Sequence, residues 1–300
     1  MESTAEAGPA GWYVDERCTD CDVARQLAPG LVRAAPGRSE LVRQPQNPAE
    51  TAQLRAAALA CPHPVDPPAG WPVRPGGTRS PFPLPLDENV LLCGHNSPRT
   101  AGANSYLLRR PSGHWMMVDT PPRYGEPLAR RWTADRRITD VLLTHRDHAA
   151  HGRRWADRLD ARLWIHEGDL DAAPDADRVL RGRAPTEIGE GVVAVPLPGH
   201  TRGSVLYLAD ERYCFSGDSF YWARTLEDLE VAQSVTWYSI EELAASLASV
   251  AGEVRFTWLL PGHGGRKRLP PEEMGRRLRR LAERAATLRP RPVDFTAVRW

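Results

Sequence analysis

Residues 141–152 read VLLTHRDHAAHG and place three histidines and an aspartate within seven residues. Imidazole nitrogens and carboxylate oxygens together are the ligands that proteins offer to zinc, iron or manganese. The apolar run before His145 predicts a buried strand, so this histidine and its neighbours should lie in the loop that follows the strand. The stretch therefore predicts a metal site at a strand end.

Four further strand ends carry side chains of the same types. Each follows an apolar run that favours a buried strand, and loops at the strand ends of a rigid sheet are common places for function. The residues are Asp119 at the end of WMMVD, His200 after VPLPG, Asp218 after YCFSG and His263 after WLLPG. A lone histidine at a strand end is more often structural, but the recurrence predicts one shared site.

The elements that must position these residues alternate between strands and helices. Residues 104–110 and 114–120 predict a β-hairpin around Pro-Ser-Gly. Further strands are predicted over residues 138–145, 162–168, 191–197, 204–210, 213–219 and 256–264. Helices are predicted over residues 147–159, 240–251 and 271–289, and the last two carry an apolar stripe at helical spacing.

The composition indicates a folded protein without a general attraction to nucleic acid or membranes. The chain has 300 residues, 41% of them hydrophobic, and 39 basic against 38 acidic residues give a net charge of +1. No apolar run reaches the ~18–20 residues that span a bilayer. The N-terminal MESTAEAGPAG lacks the basic and apolar regions of a signal peptide. We therefore expect a cytoplasmic protein with a small-molecule substrate, and cysteines that are thiols or ligands rather than disulfides.

A stretch rich in proline and glycine, residues 66–88, divides the chain. Such a composition favours a linker over a helix or strand. We predict a small N-terminal domain over residues 1–65 and a large domain over residues 89–300.

The order of the motifs resembles that of the metallo-β-lactamase fold superfamily. The motifs are VDT at Asp119, THRDH at His145, PGHTRGS at His200, SGDS at Asp218 and PGHG at His263. The resemblance implies an α+β protein, an αββα sandwich with one or two divalent ions (Zn, Fe or Mn) at one edge of the two sheets. It also implies that His200, Asp218 and His263 are metal ligands and that Asp119 orients a ligand or supports the site.

The second motif departs from the family pattern, which is His-x-His-x-Asp-His followed by a helix. One histidine and two loop residues are missing here, while Asp147-His148 keeps the following helix in register. Either His145, Asp147 and His148 are all ligands of a two-metal site that is short of one ligand, or one of the two metal sites is weak or lost. His151 would share a helical face with His148, so it is a candidate for an extra ligand.

Residues 12–62 resemble a single-cluster bacterial-type ferredoxin. Such ferredoxins read Cys-x2-Cys-x2-Cys near the start and Cys-Pro further along. Cys18, Cys21 and Cys61 fill three of the four cluster positions, and Ala24 stands at the other. The resemblance implies these three cysteines as candidate ligands of an iron–sulfur cluster.

Three thiolates leave three alternatives open. The domain could hold a three-iron cluster, or a four-iron cluster with water or a carboxylate of Asp20 or Asp22 on the remaining iron. It could also keep the fold of a ferredoxin without the cluster.

The superfamily resemblance implies hydrolysis of a small ester, thioester or lactone-like substrate by a metal-bound hydroxide. The catalytic candidates are Asp147, which would orient the water or take its proton, and the supporting Asp119. Two alternatives stay open, because fold alone does not decide the reaction. One is an iron-dependent redox enzyme, diiron or mononuclear, that receives electrons through the ferredoxin-like domain and a redox partner. The other is a non-catalytic protein with a decayed metal site.

The aromatic residues give one further expectation about the site. Trp115, Trp222, Trp237 and Trp258 are predicted mostly in the core. Because Tyr221 and Trp222 follow Asp218 closely, they are the candidates for the wall of a substrate pocket.

Overall fold

The N-terminal lobe, residues 11–62, consists of two helices and a β-hairpin. The structure is a computed structural model that describes residues 11–62, 80–121 and 124–294. The elements of the lobe are α1 (Val23–Leu27), β1 (Val32–Ala35), β2 (Arg38–Leu41) and α2 (Pro48–Ala60). Asn47 starts α2 because its side chain accepts a hydrogen bond from the Glu50 backbone N–H, and Pro48 occupies a first-turn position that needs no N–H.

The first sheet of the sandwich has seven strands that lie side by side in chain order. They are β3 (Leu84–Asp87), β4 (Val90–Leu92), β5 (Tyr106–Arg109), β6 (Trp115–Val118), β7 (Ile138–Leu142), β8 (Arg162–His166) and β9 (Arg178–Leu180). Pairing is antiparallel from β3 to β6 and parallel from β6 to β9. Because β6 and β7 are parallel, Asp119 and His145 follow them at the same edge of the sheet.

Two helices cover the outer face of this sheet, α3 (Glu126–Thr133) and α4 (Gly152–Leu159). Trp132 of α3 and Trp155 of α4 are fully buried and stack with ring centroids 5.2 Å apart. Large aromatic rings of this kind bury much apolar area, so the pair fastens both helices to the sheet.

The second sheet contains six strands, and a separate two-stranded hairpin follows its fourth strand. The strands in chain order are β10 (Thr186–Gly189), β11 (Val192–Pro196), β12 (Val205–Ala209), β13 (Tyr213–Gly217), β14 (Tyr221–Ala223), β15 (Asp228–Glu230), β16 (Trp258–Pro261) and β17 (Lys267–Arg268). The hairpin is β14 and β15, and the sheet runs β10-β11-β12-β13-β16-β17. Only the β13–β16 pair in this sheet is parallel, so the loops that follow these two strands lie next to each other.

Helices α5 (Ile240–Val250) and α6 (Pro271–Ala285) cover the outer face of the second sheet. The Ser239 side chain caps α5 by accepting a hydrogen bond from the Glu242 backbone N–H. Leu247 of α5 is buried in the same apolar cluster as the second sheet, as its helical spacing predicts.

The main core lies between the two sheets. Tyr106 and Leu108 of β5 point into it, while Leu107 between them points toward the outer helices, as the period-two alternation of a strand requires. Tyr207 and Phe215 enter the same core from the second sheet. The predicted α+β class and αββα sandwich are confirmed.

Two predicted boundaries differ from the structure. Residues 66–79 of the predicted linker lie outside the described ranges, and its last part contains a strand, β3, which pairs with β4. The predicted helix over residues 147–159 is a short 3₁₀ turn followed by α4, because Ala150 has a φ of 21° that interrupts helical geometry. None of the helices in the described ranges has the length and apolar character needed to cross a bilayer.

The lobe packs on the sandwich through α1 and α2. Val23 of α1 and Ala56 and Ala60 of α2 belong to the apolar cluster that forms the core between the sheets. The Gln26 side chain donates a hydrogen bond to the Gly264 carbonyl oxygen (2.8 Å) and accepts one from the Arg266 N–H (3.4 Å). The lobe therefore touches the loop that carries His263.

Candidate metal centre

Five of the predicted site residues come together at one edge of the sandwich, and we call them the histidine centre: His145, Asp147, His148, His200 and Asp218. The first three follow β7, in the 3₁₀ turn and directly before it. His200 lies in the loop between β11 and β12, and Asp218 directly follows β13. Each sheet thus contributes donors to the centre.

The donor atoms of the histidine centre form two groups of three that share His145, one with Asp147 and His200 and one with His148 and Asp218. The Oδ2 atom of Asp218 lies 3.5 Å from His145 Nε2, 3.5 Å from His148 Nε2 and 3.7 Å from His200 Nε2. The Oδ2 atom of Asp147 lies 3.3 Å from His200 Nε2 and 3.7 Å from His145 Nε2. Two ligands bound tetrahedrally to one zinc ion are about 3.3–3.6 Å apart, from bond lengths of about 2.0–2.2 Å. Because His145 belongs to both groups, the spacing fits either one ion between them or two neighbouring ions.

Burial of imidazole nitrogens gives an independent reason to place an ion here. The Nε2 atoms of His145, His148 and His200 are buried without a hydrogen-bond partner in the part of the chain that the structure describes. Leaving a buried polar atom unsatisfied costs about 1–3 kcal/mol. Native proteins seldom tolerate several such atoms together unless an ion or ligand occupies them. The donor set therefore fits a metal ion.

Asp119 fixes the orientation of two histidines of the centre. Its carboxylate accepts hydrogen bonds from His148 Nδ1 (2.9 Å) and from the Thr144 hydroxyl (2.8 Å). The Thr144 oxygen in turn lies 3.0 Å from His145 Nδ1, which can donate to it. Both rings then carry their proton on Nδ1 and turn a free Nε2 toward the centre. These contacts fit the predicted orienting role of Asp119.

The backbone at two positions makes this close packing feasible. Asp119 has a φ of 54°, a left-handed conformation that costs a residue other than glycine about 1–3 kcal/mol. At Gly262, a Cβ atom would lie 2.3 Å from the His148 ring and 2.6 Å from Asp218 Oδ1. Only glycine allows the loop after β16 to pass so close to both side chains.

Charge and burial oppose each other at the centre. Burial raises the pKa of Asp218, but the neighbouring His263 and His148 outweigh it and hold this pKa well below its usual range. Burial lowers the pKa of His148, but Asp218 and Asp119 outweigh it and raise the pKa to about 10. The pKa of His145 is lowered by burial and by the neighbouring His148. A divalent ion entering the centre therefore competes with a proton on His148.

His263 stands beside the centre instead of among its five donors. Its Nδ1 atom lies 2.9 Å from both carboxylate oxygens of Asp218, and its Nε2 atom lies 3.0 Å from the Thr100 carbonyl oxygen. A carbonyl only accepts hydrogen bonds, so Nε2 donates and is not free for an ion in this arrangement. His263 thus holds the carboxylate of Asp218, and ligation through Nε2 would require the ring to leave Thr100.

His151 also lies outside the histidine centre. It is the N-cap residue of α4 and is half-buried. The expected shared helical face does not exist, because Asp147 and His148 belong to the separate 3₁₀ turn. Burial lowers the pKa of His151, and the positive charges of Arg99 and Arg154 lower it further.

A cleft of about 600 Å³ opens on the exposed side of Asp147, and we call it the substrate cleft. Its walls include Arg146, Asp169, Arg202, Trp237 and Tyr238. The side chains of Trp237 and Tyr238 are 48% and 42% exposed. The prediction that Trp237 belongs to the core is therefore wrong.

The aromatic residues predicted for the pocket wall are buried elsewhere. Tyr221 and Trp222 are only 3% and 5% exposed, and Trp222 packs in the core under α5 and α6. The sequence around Trp237 and Tyr238 does indicate that this pair is exposed. It stands between polar residues just before the Ser239 cap and not inside an apolar run.

The lobe brings its three cysteines around one cavity of about 70 Å³, which we call the thiol cavity. Cys18, Cys21 and Cys61 line it together with Ala24, which stands where the fourth cysteine is expected. The Ser39 N–H donates a hydrogen bond to Cys18 Sγ (3.3 Å). Backbone donors to sulfur are among the contacts that tune iron–sulfur clusters, so the donor set fits a cluster held by three thiolates.

The acidic residues considered as a fourth cluster ligand are engaged elsewhere. Arg25 donates to Asp22 Oδ1 at 2.5 Å and also pairs with Asp20. Neither aspartate lines the thiol cavity; the acidic residue that does is Asp15, which pairs with Arg17. The alternative with Asp20 or Asp22 on the remaining iron is therefore not supported by the geometry.

Comparisons with known families agree with both regions. The family model described as the metallo-beta-lactamase superfamily matches residues 99–263, more than half of the chain. The family model described as the 4Fe-4S single cluster domain of ferredoxin I matches residues 14–64. The N-terminal lobe is thus ferredoxin-like.

Curated relatives and solved structures resemble the sandwich. A hydroxyacylglutathione hydrolase of Fuscovulum blasticum is 32% identical over 141 residues, 45% of this chain and 54% of that protein. One of Hyphomonas neptunium is 26% identical over 163 residues, 52% of this chain and 62% of that protein. The chain thus spans little more than half the length of these relatives.

Among solved structures, the DIM-1 metallo-beta-lactamase exposed to ceftazidime has a TM-score of 0.52 and 20% identity, covering 67% of this chain and 96% of that one. The VMB-1 structure has a TM-score of 0.52 and 17% identity, covering 68% of this chain and 97% of that one. At these identities the likeness concerns the fold alone.

Proposed function

The chain belongs to the metallo-beta-lactamase superfamily, and on that basis we propose that it is a metal-dependent hydrolase of a small thioester or ester. The observation that carries the proposal is a pair of overlapping three-donor groups, which share His145, beside an open cleft. The names of the curated relatives, hydroxyacylglutathione hydrolases, support a thioester as the first substrate class to test.

We propose that the centre binds one ion and not two. The superfamily binds one or two divalent metals, and the second motif here lacks one histidine. Asp147 and Asp218 both lie within 3.7 Å of the same His200 nitrogen, which favours one shared ion over two separate ones. The position of His263 against Thr100 supports the same conclusion, because it removes a donor from a second site.

We propose the following roles for the residues of the centre. When bound, the ion lowers the pKa of a water molecule and polarises the substrate carbonyl. His145, His148, His200 and Asp218 would hold it, because the three imidazoles are buried and the Asp218 side chain is only 11% exposed. Asp147 is 40% exposed toward the cleft, so its carboxylate can orient the attacking water and take its proton.

The test is metal content together with hydrolysis. We expect chelation to abolish thiol release from a simple thioester, and zinc or manganese to restore it in air without a reductant. His200→Ala should lose the metal and the activity. The matched control is His114→Ala, since His114 precedes β6 and so lies at the opposite end of that strand from Asp119. Two ions per chain, or a His200→Ala variant that keeps its metal, would contradict the proposal.

A redox function is the second candidate, and the contact between the lobe and the His263 loop favours it. Helix α1 begins two residues after Cys21, and its Gln26 donates to the Gly264 carbonyl oxygen. We propose that Cys18, Cys21 and Cys61 hold an iron–sulfur cluster, which supplies one-electron transfer when bound. Iron and acid-labile sulfide in anaerobically purified protein, with a visible band that bleaches on reduction, would support the cluster.

The metal of the histidine centre separates the two candidates. Iron at the histidine centre, with no thioester hydrolysis, would favour the redox function. Zinc or manganese at that centre, with hydrolysis in air, would favour the hydrolase whether or not the lobe carries a cluster.

A further inference from the structure

We propose that the substrate cleft selects substrates with an anionic group, a carboxylate or a phosphate, and that Arg202 binds this group. The inference rests on the proposed function, because the cleft is the entrance to the same histidine centre. It adds the chemical class of the substrate and the residue that sets the specificity.

Arg202 is the cationic side chain of the cleft without an acidic partner among the described residues. Its guanidinium lies over the Tyr238 ring, 5.3 Å from the centroid. The neighbouring Arg146 instead pairs with both carboxylate oxygens of Asp171 at 3.1 and 2.8 Å, and Arg183 pairs with Glu242 at 2.8 Å. A guanidinium stacked on an aromatic ring keeps its N–H donors free for a carboxylate or phosphate.

The acidic residues that line the cleft are each engaged elsewhere. Asp169 accepts hydrogen bonds from the Arg146 N–H (3.0 Å), the Thr201 hydroxyl (2.6 Å) and the Gly203 N–H (3.1 Å). Asp171 pairs with Arg146, and Asp147 belongs to the histidine centre. The positive charge of Arg202 therefore remains available to an anion that enters the cleft.

The loop that carries Arg202 is fixed close to the metal ligands. Arg202 follows His200 by two residues, and Asp169 holds the loop through Thr201 and Gly203 on either side of Arg202. The backbone position of Arg202 is thus set by the same loop that presents His200. A substrate whose scissile bond lies at the histidine centre would place its other end near Arg202.

The aromatic wall is tied to the same loop. The backbone N–H groups of Trp237 and Tyr238 both donate to the His200 carbonyl oxygen, at 2.9 and 3.0 Å. The Ser239 N–H donates to the Gly199 carbonyl oxygen at 3.0 Å. The backbone of the aromatic wall is therefore held to the loop that carries His200 and Arg202. An exposed aromatic surface beside a guanidinium suits a substrate with an apolar middle and an anionic end.

The experiment compares three acetyl thioesters that differ only in the end of the thiol. They are the thioesters of 3-mercaptopropionate, of 2-mercaptoethyl phosphate and of the neutral 3-mercaptopropionamide. With the metal-loaded full chain, we expect kcat/KM to be about 10–100-fold higher for one or both anionic thioesters than for the neutral one, because a hydrogen bond to a charged group is strong. The anionic thioester with the higher kcat/KM shows whether the cleft prefers a carboxylate or a phosphate.

Three variants test the assignment to Arg202. Arg202→Gln should remove the preference for the anion, mainly by raising KM for the anionic thioesters more than for the neutral one. Arg202→Lys should restore part of the preference. The control is Arg137→Gln, an exposed arginine that precedes β7 and so lies at the opposite end of that strand from His145. An Arg202→Gln variant with an unchanged preference would overturn the inference.

The outcomes separate this inference from the proposed function. If the wild-type chain hydrolyses all three thioesters equally, the hydrolase proposal stands and the inference fails. If none is hydrolysed, the hydrolase proposal fails, and ligand-observed NMR with 3-(methylthio)propionate and its amide still tests the cleft. In that case, binding of the acid that Arg202→Gln abolishes supports the anion site, and equal binding of acid and amide overturns it.

Discussion

The thiol cavity and the histidine centre each lack one ligand of the motif that they resemble, and they differ in what surrounds the gap. In the lobe, Ala24 lines the thiol cavity at the missing position, and no cysteine replaces the thiol there among the residues that the structure describes. In the sandwich, the donors that remain lie together in two groups of three that share His145. This difference between the two sites follows from the positions of their donors in the fold.

Donors on separate loops can close around one ion when one of them is missing. The histidine centre takes its donors from loops of both sheets, and these loops are held by outer contacts such as the Asp119–Thr144 pair. In a four-iron cluster, by contrast, each thiolate binds its own iron. The loss of one thiolate therefore leaves one iron without a protein ligand, whereas under our proposal the loss of one histidine leaves one ion in place of two.

The largest effect is expected for Asp218→Ala, which tests whether the histidine centre and the lobe bind their metals independently. Its Oδ2 atom is within 3.7 Å of three imidazole nitrogens, so its removal should lower metal affinity and kcat/KM by at least about 100-fold, beyond the effect of removing an outer partner. Metal titration by competition with a chelator measures the effect. The control is Asp135→Ala, an exposed residue before β7. Unchanged iron in the lobe would show that the two sites are independent.

Asp119→Asn should have the next largest effect. The variant keeps the shape of the side chain but weakens the acceptor for His148 Nδ1 and the Thr144 hydroxyl. We expect metal affinity to fall by about 10–100-fold, as for other outer partners of metal ligands. The same chelator competition measures it, and an affinity equal to that of the wild type would contradict the orienting role of Asp119.

Ala24→Cys should fill the gap in the lobe and leave the histidine centre unchanged. A thiol at this position lines the same cavity as Cys18, Cys21 and Cys61. We expect the variant to hold a four-iron cluster that survives exposure to air better than the cluster of the wild type, as followed by iron analysis and electron paramagnetic resonance. Ala24→Ser is the matched control. Equal iron loss in all three proteins would argue against a cluster in the lobe.

Gln26→Leu should loosen the contact between the two regions. It removes hydrogen bonds to Gly264 and Arg266, and we expect a loss of about 1 kcal/mol in the free energy of unfolding. Urea unfolding measures the loss, with Gln46→Leu as an exposed control. A lobe that unfolds with the sandwich in the wild type but separately in the variant would show that Gln26 couples them.

The smallest expected effect concerns the acid stability of the lobe. Hydrogen bonds from Arg43 and from the Gln46 N–H lower the pKa of Glu50 from 4.5 to about 2. Because the folded pKa is depressed, the stabilisation is present above pH ~4.5 and is lost as the pH falls toward 2. Glu50→Gln should remove this part of the pH dependence, measured by thermal unfolding with Glu16→Gln as control. An identical pH profile would show that the exposed pair contributes nothing.

Much of the site could be predicted because strand ends leave a strong signal. The apolar runs before Asp119, His145, His200 and Asp218 end where the structure ends the strands, and the ordered motifs indicate the sandwich. Local pattern and overall fold agree at these positions. The predicted strands therefore needed only small changes in their bounds.

What the sequence did not reveal depends on contacts between distant segments. The engagement of Asp20 and Asp22 by Arg25 and the place of His263 beside Thr100 follow from the packing of separate elements. The sequence predicts one helix over residues 147–159, where the structure has a 3₁₀ turn followed by α4. Periodicity does not distinguish a 3₁₀ turn from the start of a helix.

The division of the histidine centre between two sheets has a consequence for the stability of the whole sandwich. An ion held there would cross-link the loop after β7 to the loop after β13, segments that are far apart in the chain. Because these loops meet only in the folded chain, the ion would bind the folded state and not the unfolded one. By mass action, an ion at 100 times its dissociation constant adds about 2.7 kcal/mol to the free energy of unfolding. The thermal midpoint of the chain would then report the supply of metal, and the edge that carries the centre would be the first part to open when the metal is withdrawn.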